Sequence, residues 1–201
     1  EIVALDRSQM DLSNLDQVRD VIRTIKPQLI VNPAAYTAVD LAERETDLAM
    51  RINAEAPEVM AIEAKKLGAA MIHYSTDYVF DGDKAESYTE ENTPNPQSVY
   101  GRSKLTGELA IQSSGIPHLI LRSSWVYGAR GKNFLLTVRR LAQERDELRI
   151  VADQFGAPTW CRTIAEATAH ALIQMQRYSG TQKDADPVSY THLRAHETKA
   201  N

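Results

Sequence analysis

Tyr100-Gly-Arg-Ser-Lys104 places a phenol and an amine four residues apart. In a helix that spacing stacks both groups on one face, one turn over the other. A free phenol titrates near ~10 and is a poor acid-base catalyst at neutral pH. An ammonium held beside it favours the phenolate and lowers that value. Such a pair can pass a proton to or from an alcohol or ketone oxygen. Ser75-Thr76-Asp77 closes an apolar run, with Thr76 24 residues before Tyr100. Its hydroxyls supply hydrogen-bonding groups for the same oxygen.

These residues need elements to hold them, and apolar runs alternate with helical patterns along the chain. Ile2–Leu5 reads as a short strand and Leu29–Val31 as a fully apolar one. Ser13-Asn-Leu-Asp16 reads as a capping box opening a helix through Ile25, which Pro27 ends. A long helical region covers Val39 to Leu67, broken at Pro57 and stopped at Gly68. Ala69–Tyr74 is the next strand, Ser98–Ser113 a helix capped by Gly115, and Leu119–Leu121 a strand. A helix over Asn133–Arg145, a strand over Leu148–Val151 and a helix over Thr163–Tyr178 follow. Strands apolar on both faces, alternating with helices, predict an α/β fold with a doubly wound parallel sheet, Rossmann-like. In such sheets ligands bind at the carboxyl ends of the strands. Asp6, Asn32 to Thr37, Ser75 to Tyr78 and Ser123 to Tyr127 all fall at such ends. The polar stretch Asp81–Gln97 reads as a lid or substrate loop.

Composition removes several function classes. A net charge of −4 leaves no electrostatic footprint for nucleic acid. Arg139-Arg140 reads as a solvated helix face. No window of 18 apolar residues exists to span a membrane, and no signal peptide is recognisable. The single cysteine, Cys161, reads as structural and fits a reducing, cytoplasmic setting. No metal site is expected. His192 and His196 have helical metal-pair spacing but lie in a stretch without apolar periodicity, from Thr181 to Asn201. Within it, Pro187 to Thr198 resembles translated adaptor or vector sequence. Residues 1–180 are therefore read as the folded region and 181–201 as a non-native or disordered tail.

Five stretches carry a resemblance: Val31-Asn-Pro-Ala-Ala-Tyr-Thr-Ala-Val-Asp40, Tyr74-Ser-Thr-Asp-Tyr-Val-Phe-Asp-Gly82, Tyr100-Gly-Arg-Ser-Lys104, Arg122-Ser-Ser-Trp-Val-Tyr-Gly128 and Asp153-Gln-Phe-Gly-Ala-Pro-Thr159. Together they resemble the extended short-chain dehydrogenase/reductase superfamily, and within it the dTDP-4-dehydrorhamnose reductase family. The resemblance implies reduction of dTDP-4-dehydro-L-rhamnose to dTDP-L-rhamnose by hydride from NADPH or NADH. It implies Tyr100 as proton donor, Lys104 as the residue that holds the nicotinamide ribose and tunes Tyr100, and Thr76 as a hydrogen-bond partner of the sugar C4 oxygen. Asp77 and Trp125 would contact the substrate. Asp6, Asp11, Leu12, Ala34, Ala35 and Tyr36 would line the cofactor path. An acid at Asp6 favours a free ribose 2′-hydroxyl, whereas Arg7 suits a 2′-phosphate, so the choice between NADH and NADPH stays open. A dTDP-sugar is the implied partner, and a homodimer stays open.

Three related readings compete. The 4,6-dehydratases resemble this chain but place a second acid after the Thr-Asp pair. Here Tyr78 follows Asp77, so elimination lacks its second acid-base group. An epimerase is less compatible with the Ser75–Phe80 motif. The regulatory subunit of methionine adenosyltransferase also resembles the family and acts by protein contact. One departure limits all of these. The family's Gly-x-x-Gly-x-x-Gly turn, which receives the pyrophosphate at a helix N-terminus, occurs nowhere in the 201 residues. Residues 1–180 are accordingly expected to form an incomplete NAD(P)-binding Rossmann-like domain that lacks the first βα unit, with the start of a substrate region. On this reading the 201-residue polypeptide shows no measurable affinity for NADPH or NADH by calorimetry, and micromolar binding of either would overturn it.

Overall fold

The computed structural model describes residues 1–179 and the pair 190–191. Local capping explains several helix boundaries. Asn14, one residue after the expected cap, accepts the Gln17 N–H at 3.1 Å and opens helix α1, Leu15–Ile25. Lys26, at φ 50°, closes it ahead of Pro27. Strand β1, Leu29–Asn32, leads into two short helices, α2 (Val39–Ala42) and α3 (Thr46–Met50). A single wide π-turn, Arg51–Glu55, joins α3 to α4, Ala56–Leu67. There the Ala56 N–H reaches back to Arg51. Pro57 does not break the helix. It sits in the first turn of α4, where its missing N–H costs little. Gly68, at φ 66°, caps α4.

Strand β2, Ala70–Thr76, ends in a short 3₁₀ turn, Asp77–Val79. Helix α5, Val99–Ser114, opens where Ser98 Oγ accepts the Gly101 N–H and closes at Gly115, as the residues predict. Strand β3, His118–Ser123, is followed by β4 (Val126–Tyr127), α6 (Phe134–Glu144), β5 (Thr159–Trp160) and α7 (Cys161–Ser179). The final described element is β6, Tyr190–Thr191.

The main sheet runs β1-β2-β3-β6, every neighbouring pair parallel, and β4 and β5 form a second parallel pair. Alternation along β2 and β3 builds a core on each face. Met71 and Ile120 pack with Val18 and Ile22 of α1, Met60 and Ala64 of α4, and Ile111 of α5. Ile72, Leu119 and Leu121 pack on the other face against Ile164, Ala171 and Leu172 of α7. Helices thus cover both faces of a parallel sheet, the expected Rossmann-like α/β arrangement.

Two expected strands are absent. Ile2–Leu5 is irregular, with Ile2 94% exposed. A strand exists only through the ladder it shares with a neighbour, and among the described residues β1 is paired on one side alone, with β2. Leu148–Val151 is likewise irregular, and Ile150 and Val151 stand exposed. In the expected tail, Tyr190 and Thr191 pair with Leu119 and Ile120. His192 and His196 lie outside the described residues.

Helix α5 approaches its neighbours more closely than ordinary side chains allow. A Cβ on Gly101 would stand 2.2 Å from the Tyr78 carbonyl oxygen, and one on Gly107 2.2 Å from that of Asn53. Gly107→Ala should therefore cost about 2 kcal/mol or more, read as a lower urea midpoint. A loss under about 0.5 kcal/mol would show that α5 can back away.

Candidate active site

Tyr100 and Lys104 lie on the buried face of α5, one turn apart. Lys104 is 1% exposed. Its Nζ donates to the Tyr74 carbonyl at 2.7 Å and lies 3.1 Å from His73 Nε2. Burial lowers its pKa to about 8, and Glu108 on the same helix pulls the other way. Glu108 is itself held by Arg122 of β3, whose Nε lies 3.0 Å from one carboxylate oxygen. His73 is buried too, and desolvation with the nearby lysine holds it well below the usual imidazole range.

The phenol differs from the sequence expectation. Burial pushes Tyr100 up to about 12. The nearby Thr76 hydroxyl opposes the rise, while Asp77 and Tyr78 add to it. The Lys104 ammonium does not produce a downward shift, because Nζ is turned to the Tyr74 carbonyl and His73. At neutral pH Tyr100 is a phenol with a proton to give.

The end of β2 supplies the groups around that phenol. Thr76 Oγ1 donates to Asp77 at 3.1 Å and accepts the Tyr78 N–H at 3.2 Å. Asp77 is buried beside Ser124, and desolvation raises its pKa. The Tyr78 ring meets Tyr100 edge-on at 5.5 Å. Ser75 Oγ is buried without a hydrogen-bond partner among the described residues.

Ala34, Ala35 and Tyr36 follow β1. Asn32 Oδ1 accepts the Ala34 N–H at 3.2 Å. Asn53, in the π-turn, clamps Tyr36 from both sides of its peptide: Oδ1 accepts the Tyr36 N–H at 2.8 Å and Nδ2 donates to the Tyr36 carbonyl at 3.0 Å. The same Nδ2 lies 3.0 Å from Ser103 Oγ on α5. The Tyr36 hydroxyl donates to Glu45, and its ring shares an apolar cluster with Tyr100 and Val99. Asn32 belongs to the strand-end stretch the sequence points to, whereas Asn53, His73 and Glu108 carry no sequence signal of their own. A lone Asn or His carries no signal until the fold buries it.

The other expected residues have local partners. Asp6 accepts from the Ser8 N–H at 2.8 Å and the Ser8 hydroxyl at 2.6 Å, which lowers its pKa. Asp11 accepts from the Ser13 N–H and hydroxyl and pairs with Arg7. The Leu12 side chain is in the core with Val18 and Ile22. Trp125 has φ 44°, and its indole lies so flat on Gly156 that a Cβ there would come within 2.5 Å. It remains 43% exposed, and its carbonyl accepts the Thr159 N–H at 3.3 Å.

No described helix is long and apolar enough to cross a membrane. Among the described residues no cluster of three or more His, Cys, Asp or Glu could hold a metal ion.

Residues 1–197 match the family described as RmlD substrate binding domain. The chain is 50% identical over 177 residues to a dTDP-4-dehydrorhamnose reductase of Burkholderia thailandensis, covering 88% of this chain and 59% of that protein. It is 49% identical over 162 residues to one of Escherichia coli, covering 81% and 54%. A dTDP-4-dehydrorhamnose reductase crystal structure from Bacillus anthracis, in complex with NADP, superposes with a TM-score of 0.80 at 36% identity, covering 99% of this chain and 67% of that one. The chain therefore spans less than two thirds of the length of the two sequence relatives.

The buried lysine has a signed consequence for stability. Its folded pKa, about 8, lies below the unfolded value near 10.5. The cost of burying the ammonium is fully present below pH 8 and is relieved as the native state sheds its proton first. Unfolding free energy should gain about 2 kcal/mol between about pH 8 and pH 10 from this residue. Urea melts across that window should lose this gain in Lys104→Met; an unchanged slope would locate the effect elsewhere.

Proposed function

The chain belongs to the RmlD substrate binding domain family, and from that premise we propose that it carries the acid-base half of a site that reduces the C4 ketone of dTDP-4-dehydro-L-rhamnose with NADPH or NADH. The observation that carries the reading is the half-buried Tyr100 phenol, beside Thr76 and still protonated at neutral pH.

The residues present suit the nicotinamide end of such a cofactor. Lys104 offers a buried nitrogen, Ser75 an unpartnered hydroxyl, and Ala34 and Ala35 a strip without long side chains at the carboxyl end of β1. Lys104 would hold the nicotinamide ribose, with Ala34, Ala35 and Tyr36 lining the path toward the adenosine end. Asp6, Asp11 and the backbone at Leu12 would receive the adenosine. The bound cofactor supplies hydride.

The chain's own residues orient the ketone and manage the proton. Thr76 Oγ1 hydrogen-bonds the C4 oxygen and sets its distance from Tyr100. As negative charge develops on that oxygen, Tyr100 transfers its phenolic proton there. A phenol pushed up to about 12 is a weak acid towards water, but an alkoxide is a far stronger base than water. Proton transfer therefore follows the development of charge. Buried Asp77 and the half-buried Tyr78 ring beside the phenol limit the water that can compete for the proton. Asp77 orients the sugar, and Trp125, presented by its left-handed backbone, covers it. We read residues 1–180 as an incomplete NAD(P)-binding Rossmann-like domain with the start of a substrate region, in a cytoplasmic setting, with a homodimer left open.

The test uses a protein of the relatives' full length that contains this sequence. It should oxidise NADPH or NADH when given dTDP-4-dehydro-L-rhamnose. Tyr100→Phe should lower kcat about 100-fold or more with little change in KM. A wild type that oxidises neither cofactor would refute the reading; a Tyr100→Phe variant with near-normal turnover would remove Tyr100 from its role.

A further inference from the structure

Asn32 of β1, His73 of β2 and Lys104 of α5 form a buried row whose donors and acceptors balance in only a restricted way. His73 Nδ1 lies 3.3 Å from Asn32 Nδ2, and His73 Nε2 lies 3.1 Å from Lys104 Nζ. A carboxamide nitrogen and an ammonium are both donors without a lone pair to offer. A neutral imidazole accepts at one nitrogen only. The far end of the Asn32 carboxamide sets its orientation, since Oδ1 accepts the Ala34 N–H at 3.2 Å. Asn32 Nδ2 therefore donates to Nδ1, and the ring hydrogen sits on Nε2. Lys104 Nζ must then present a lone pair to that hydrogen. A neutral amine can do so while still donating to the Tyr74 carbonyl at 2.7 Å.

We propose that Asn32, His73 and Lys104 form a tautomeric relay, in which a neutral Lys104 amine receives the His73 Nε2–H and protonation of Lys104 moves the ring hydrogen to Nδ1, turns the Asn32 carboxamide and frees the Ala34 N–H. The net change is uptake of one proton from solvent. The amine becomes an ammonium, and the imidazole loses a hydrogen at Nε2, gains one at Nδ1 and stays neutral. In the second state Nε2 accepts from the ammonium and Nδ1–H donates to Asn32 Oδ1. The Ala34 N–H then needs another acceptor.

The surroundings suit both states. Burial brings Lys104 to about 8 while holding His73 well below its usual range, so the lysine changes charge near neutrality and the imidazole does not. Glu108 on α5 favours the ammonium, but Arg122 of β3 already engages its carboxylate. Asp77, after β2, is raised by burial, and Tyr100 stays a phenol. From the π-turn, the nearby polar side chain on α5's flank is the Asn53 amide, bound to Ser103. Asn32 and His73 are thus positioning residues for Lys104. The consequence deepens the reading above and rests on it only in use: a cofactor oxygen that accepts the Ala34 N–H would draw a proton onto Lys104, coupling binding to proton uptake.

The relay is tested on the 201-residue chain alone, without cofactor or substrate, so its failure is separable from a failure to turn over. Long-range ¹⁵N–¹H spectra of the imidazole report the His73 tautomer, and the Lys104 ¹³Cε shift reports its charge. His73 should be the Nε2–H form above the lysine midpoint and the Nδ1–H form below it, both titrating together. Asn32→Asp places an acceptor-only carboxylate against Nδ1. It should lock the Nδ1–H form and raise the Lys104 midpoint by about one unit or more. A single tautomer throughout the wild-type titration, or an Asn32→Asp variant with an unchanged Lys104 midpoint, would overturn the relay.

Discussion

The seat of α5 on two backbone carbonyls, at Tyr78 and Asn53, is the constraint on which the rest of the site depends. Gly101 and Gly107 have no Cβ to hold the helix away, and any other residue would meet a carbonyl oxygen at 2.2 Å. That closeness carries Lys104 inward until its nitrogen reaches the Tyr74 carbonyl. It also brings Tyr100 against Tyr78 and the Thr76 hydroxyl. The π-turn is part of the same contact. It presents the Asn53 carbonyl to Gly107 while the Asn53 side chain holds Tyr36 and Ser103. One helix thus registers the ends of β1 and β2 against each other.

Burial then determines the electrostatics. Desolvation is the leading cause of the shifts at Tyr100, Lys104, His73 and Asp77. Each is moved toward its neutral form. A site built this way holds protons on its acids and sheds them from its bases. It is suited to a reaction in which charge appears on the substrate oxygen and is quenched by a phenol. Membership of the RmlD substrate binding domain family gives that chemistry its proposed substrate. The length ratio to the relatives marks how much of their architecture this chain represents.

Much of the scaffold was legible because its signals are local. Ser98, Gly115 and Gly68 cap where their residue types say they should, since a hydroxyl acceptor or a left-handed glycine needs only its own turn. The strands over Leu29, Ala70 and His118 were visible as apolar runs. Ile2–Leu5 and Leu148–Val151 carry the same composition and are not strands. Composition specifies willingness to pair, whereas a ladder needs a partner at the right distance. Pro57 misled in the opposite direction: the preceding turn widens and accommodates it in a first turn.

The sequence by itself determined which groups could do chemistry: a phenol and an amine at helical spacing, and a Thr-Asp pair at a strand end. Only the tertiary structure decided their state. Spacing along a helix says that Tyr100 and Lys104 share a face, but not where the lysine nitrogen turns or how much water either group keeps. Both answers come from residues distant in the chain. His73 and the Tyr74 carbonyl draw Nζ aside, and packing removes much of the water around the phenol. The expected lowering of Tyr100 therefore became a rise to about 12, because ionisation depends on the surrounding dielectric and partners, which no local pattern encodes.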